Sequence, residues 1–228
     1  MNRLESELSR LYGPRASGRA GDAVRAMVLE LARPPSWDAL GRVWHGVQAE
    51  LELPAPAIAV NGTDGLQLWF SLAEPVAVAR AQQFLQGLRQ RFLPEIAPER
   101  VRLLLDAPAV PAEQGHSGNW SAFVAPDLAP VFADTPWLDI PPGEEGQANL
   151  LGVVASARPE AFDAAMHKLG PNEQLAASAG QHPATAPVAP GPGDDAPRRF
   201  LLQVMHDQTV PMALRIEAAK ALLPSGGR

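Results

Sequence analysis

The sequence contains no cysteine. Disulfides, thiolate nucleophiles and cysteine-ligated zinc are therefore excluded. Lysine is nearly absent, at two of the 19 basic residues, and there is a single tyrosine. No apolar run approaches the ~18 residues needed to span a bilayer. The N-terminal stretch MNRLESELSRLYGPR lacks the apolar region of a secretory signal, so a cytoplasmic location is expected. Positive charge is also scarce. The 25 acids outnumber the basic residues to give a net charge of −6, and residues 1–140 alone hold 12 arginines against 16 acids. That balance disfavours a non-specific nucleic-acid coat, which needs clustered Lys and Arg. A local patch such as Arg89, Arg91, Arg100 and Arg102 is still open to it. The five histidines (His45, His116, His167, His182 and His206) share no zinc-ligand spacing. The two glycines of NGTDG (61–65) lie between two strands. A phosphate-cradling loop joins strand to helix and ends in Lys-Ser or Lys-Thr, so this one is a turn.

What is present describes a globular chain. Hydrophobic residues make up 46% and charged residues 19% of 228 residues, enough for one well-buried domain with extensions. Leu4, Leu8 and Leu11 mark a short amphipathic helix that Gly13-Pro14 ends. RAMVLEL (25–31) reads as a strand. Ser36 is placed to cap a helix over 37–50, with Trp37, Leu40, Trp44 and Val47 at helical spacing. AIAV (57–60) and LQLWFSL (66–72) flank the NGTDG turn as a hairpin, predicting a strand over 65–71. A helix is predicted over 75–93, with Ala81, Phe84, Leu85, Leu88 and Phe92 as its buried stripe. RVRLLL (100–105) is a fourth strand, 118–126 a further one, and 144–169 is helical.

This order is an α+β arrangement, the split β-α-β-β-α-β unit of ferredoxin-like and RRM folds, with both helices on one face of the sheet. Strand alternation assigns the side chains. Met27, Leu29, Leu31, Leu66, Leu68 and Phe70 point to the helices. Glu30, Gln67, Trp69, Arg102 and Asp106 point to the other face, expected to be open, and form the candidate site. Glu30 is there either a metal ligand or a solvated strand carboxylate. Trp69 is either a platform for stacking a base or a residue covered by the segment 118–140.

Three segments carry a family resemblance: MVLELA (27–32), NGTDGLQLWF (61–70) and VRLLLD (101–106). In order and spacing, residues 24–106 resemble the archaeo-eukaryotic primase superfamily, in particular the polymerase domain of bacterial end-joining DNA ligases. That family has a strand with paired aspartates, a helix, a Ser-Gly-Gly-x-Gly-hydrophobic-His hairpin, and a third acid after a hydrophobic strand. Here Glu30 stands for the first aspartate and Ala32 for the second. Gln67 stands for the nucleotide-binding histidine, and Asp106 matches the third acid. Two-metal phosphoryl transfer needs several carboxylates converging on cations ~3.5–4 Å apart. The resemblance therefore implies a catalytically degenerate copy, with at most one weak Mg²⁺ or Mn²⁺ site from Glu30 and Asp106.

Residues 171–197 have the Pro/Ala/Gly composition of a flexible linker. FLLQVMHDQTVPMALRIEAAKALLP (200–224) resembles a HEAT-like helical hairpin, and also a helical segment of phage small terminase subunits. One hairpin cannot bury its own apolar face. The expected organisation is a domain over 1–170, a linker over 171–197 and a helical tail over 198–228. The expected function is a binding or scaffold module without a cofactor, using its tail for a protein partner or for self-association. The alternatives are a weak metal-dependent nucleotidyltransferase and a DNA-handling factor of a mobile element.

Overall fold

The computed structural model describes residues 2–13, 19–20, 22–115 and 117–170. The predicted linker 171–197 and helical tail 198–228 lie outside the described residues. In chain order the elements are α1 (Arg3–Tyr12), β1 (Arg19–Ala20), β2 (Ala23–Ala32), α2 (Trp37–Ala49), β3 (Ala57–Val60), β4 (Gly65–Ala77) and α3 (Val78–Phe92). Then follow β5 (Val101–Leu104), β6 (Ala112–Glu113), β7 (Trp120–Val124), α4 (Glu144–Gly152) and α5 (Pro159–Leu169). Among the described residues no helix is long and apolar enough to cross a membrane.

Local chemistry sets the helix ends. At the start of α1, Asn2 accepts from the Glu5 N–H and Glu5 reaches back to the Asn2 N–H, so two orphan donors are satisfied reciprocally. Ser36 caps α2 by accepting from the Ala39 N–H. Two boundaries differ from the sequence expectation. The helix predicted from residue 75 begins at Val78, because β4 continues through Pro75 and pairs Val76 and Ala77 with Val24 and Ala23. The single helical region predicted over 144–169 is two helices. Pro159 occupies the first turn of α5, and the residue before a proline disfavours helical geometry, so Arg158 is extended.

The sheet is antiparallel and seven-stranded, in the order β1-β2-β4-β3-β7-β6, with β5 also paired to β2. Since β4 runs along one edge of β2, β1 and β5 share the other. The predicted first and third strands, β2 and β4, are neighbours, and α2 and α3 pack on one face. There Met27, Leu29, Leu31, Leu66, Leu68 and Phe70 meet Leu40 and Val43 of α2, Phe84 and Leu88 of α3, and Phe162 of α5. At the β7 edge, Gln147 behaves like a short extra strand. Its carboxamide oxygen accepts from the Phe123 N–H at 2.8 Å, and its Nε2 donates to the Phe123 carbonyl at 2.9 Å.

The second face is not open, which corrects the sequence expectation. Leu4, Leu11 and Tyr12 of α1 and Ala148 and Leu151 of α4 cover Val28, Ala59, Trp69 and Phe123. Each large apolar side chain buried this way stabilises by about 1.5–3 kcal/mol. Arg10 fastens the two covering helices together. Its guanidinium donates to the carbonyls of Leu151 at 2.9 Å and Val154 at 3.1 Å, where α4 ends. The domain thus has three layers, and the candidate residues lie between the sheet and the α1/α4 layer.

Candidate functional site

Register brings the candidate residues together. Glu30 in the middle strand β2 is directly opposite Gln67 of β4 on one side and Arg102 of β5 on the other. Trp69 lies two residues beyond Gln67 and so on the same face. Gln67 Nε2 donates to Glu30 Oε2 at 2.6 Å, and Trp69 Nε1 donates to Gln67 Oε1 at 2.8 Å. Arg102 Nη1 donates to Glu30 Oε1 at 2.6 Å. One hydrogen-bonded row therefore crosses three strands, and both Glu30 oxygens are engaged within it.

The row is buried. Glu30 is 3% exposed, Gln67 1% and Trp69 0%. Only the Arg102 side chain, at 35%, reaches solvent. Glu30 is thus not a solvated strand carboxylate. Its charge is compensated by a guanidinium and an amide, as a carboxylate in low dielectric requires. Trp69 is covered, by Phe123 of the expected segment and also by Tyr12 of α1. The Tyr12 ring is 5.1 Å and the Phe123 ring 5.2 Å from the Trp69 ring, both edge-on. Tyr12 is itself fully buried, and its hydroxyl has no hydrogen-bond partner among the described residues. Burial pushes that phenol far up, against a smaller downward pull from the Arg10 charge.

The NGTDG turn adds residues that sequence reasoning missed. The Asn61 carboxamide oxygen accepts from the N–H groups of Thr63, Asp64 and Gly65. Gly62 has φ +83°, and a Cβ there would lie 2.4 Å from Gln114, so this position takes only glycine. The turn delivers Asp64 to the end of the row. There it accepts from Arg33 Nε at 2.9 Å and sits 3.6 Å from Arg102 Nη2. Partial burial pushes Asp64 upward. Hydrogen bonds from Asn61, Arg33 and Thr63 and the charge of Arg102 outweigh it, holding the carboxyl below the ordinary range. The available signal was the pairing of Gly65 with Ala32, which sets Asp64 beside Arg33 once the β2–β4 register is known.

Asp106 lies beyond the end of β5. It is exposed in the bend beyond β5, four residues along from the Arg102 that pairs with Glu30. The β5 residue that bonds Glu30 is Arg102. Among the described residues, no three His, Cys, Asp or Glu side chains come together as a metal-ligand group. Three of the four arginines considered as a basic patch have internal partners, Arg102 through Glu30. Arg91 pairs with Glu50, and Arg100 donates to the carbonyls of Ala32 and Pro34. No protein-family model matches the chain, and no curated protein matches it.

Proposed function

We propose that the chain is a non-catalytic binding or scaffold module built on a ferredoxin-like, primase-type sheet whose reactive face has been closed. The observation that carries this reading is the commitment of both Glu30 oxygens to Gln67 and Arg102. Each oxygen keeps a further lone pair, but the carboxylate is 3% exposed and its charge already faces the Arg102 guanidinium, so a cation bound there would have to compete with that buried ion pair. Ala32, at the second acid position of the resemblance, is 1% exposed and carries no ligand atom. The strand neighbours β5-β2-β4-β3 follow the order of a ferredoxin-like unit, which supports the fold on which the reading rests. Partner contacts are assigned to the tail, either with another protein or with a second copy. The internal pairing of Arg91, Arg100 and Arg102 and the acidic charge speak against nucleic acid.

The test is template-dependent nucleotide incorporation by purified protein with Mg²⁺ or Mn²⁺. No incorporation is expected. Activity that disappears in both Glu30→Ala and Asp106→Ala would overturn the proposal and restore the nucleotidyltransferase alternative.

A further inference from the structure

Away from the buried row, the start of β3, the end of β7, the last turn of α4 and Trp44 of α2 enclose a cavity of about 120 Å³. Every side chain that lines it is apolar, among them Ile58, Phe123, Val124 and Leu150. The one side-chain donor in its wall is already used, since Trp44 Nε1 donates to the Pro56 carbonyl at 3.1 Å. At the rim Val153, 87% exposed, and the exposed Pro126 present further apolar surface to solvent. An apolar cavity of about 150 Å³ is large enough for benzene, so this one is close to the size of a single six-membered ring.

We propose that this cavity is a binding site for a small neutral aromatic molecule of one ring. The walls include the aromatic rings of Trp44 and Phe123, and aromatic pairs prefer edge-on or offset packing. They supply no side-chain hydrogen-bond partner, so a charged or strongly polar ligand would lose its hydration without compensation. Ala55, in the chain just before β3, lines the same space with a small side chain that a larger one would extend into it.

Fluorobenzene titrated into the full chain, followed by ¹⁹F and ¹H–¹⁵N NMR, tests the site. Saturable shifts are expected in the amides of 55, 57–58, 123–125 and 150–154. Benzoate, a ring of the same size with a charge, should cause none at equal concentration. Ala55→Leu should weaken fluorobenzene binding at least tenfold while leaving amides far from the cavity unmoved. Absence of a saturable shift up to the solubility of fluorobenzene would overturn the proposal. So would shifts centred elsewhere in the chain, or equal binding of benzoate. The wild-type titration decides the matter alone should Ala55→Leu not fold.

Discussion

Replacing Arg102 by methionine removes the guanidinium from Glu30 while keeping a side chain of similar length over the sheet. Glu30 would then hold a buried charge with only Gln67 as its donor. Breaking a fully buried ion pair costs about 3–5 kcal/mol, whereas a fully exposed one is worth about 0–1 kcal/mol. Glu30 is at the buried extreme, but the Arg102 side chain is 35% exposed, so water can approach from its side. An intermediate loss of roughly 2 kcal/mol follows, or roughly 4–8 °C in Tm for a domain of this size. Glu30→Gln alone should also destabilise, because an amide N–H then faces the guanidinium. The double variant Glu30→Gln/Arg102→Met removes both charges together and retains an oxygen for Gln67. It should be less destabilised than the sum of the singles by at least ~1 kcal/mol. Urea unfolding followed by circular dichroism measures all four corners of the cycle. Additivity within about 0.5 kcal/mol would show that the guanidinium and the carboxylate are not coupled, and the account of the row would fall.

Gln147→Leu strips the Phe123 N–H and C=O of their partners, costing roughly 2 kcal/mol, and it should introduce concentration-dependent association visible by light scattering. Tyr12→Phe deletes a buried hydroxyl with no partner among the described residues, so a gain of about 1 kcal/mol in urea unfolding is expected, and a loss of that size would contradict it. The depressed pKa of Asp64 contributes stability that is fully present above the unfolded carboxyl value near ~4 and is lost as pH falls through the lower folded value. Asp64→Asn should therefore flatten the fall in Tm over that acidic window, and an unchanged acid limb would refute the assignment.

The sheet and one of its faces were legible because their signals are local. Alternation in β2 and β4 and the helical stripes of α2 and α3 each report burial within a few residues. The covering layer was harder to read. The leucine stripe of α1 was plain, but nothing in residues 3–12 states that the partner surface begins with Val28 and Trp69 and ends at Leu151. The buried row was half legible. Glu30, Gln67, Trp69 and Arg102 were grouped correctly by face, since that follows from period-two alternation. That they bond to one another depends on register across three strands, which the sequence does not spell out. Alternation does not carry as far as Asp106, because β5 ends at Leu104. Asp64 was passed over because a turn residue is usually explained by the turn.

The Arg10 clamp has a consequence for how the protein is made. Its acceptors lie at Leu151 and Val154, more than 140 positions downstream of the helix that carries it. Helix α1 therefore cannot be fastened until α4, near the other end of the described domain, has been synthesised. At about 5–20 residues per second, that interval is roughly 7–30 s. For the later part of it, roughly 4–15 s after β4 is complete, the apolar face around Trp69 lacks the α4 half of its cover. Synthesis rate and chaperone occupancy, more than the stability of the finished domain, would then govern how much of the chain reaches its native state in the cell.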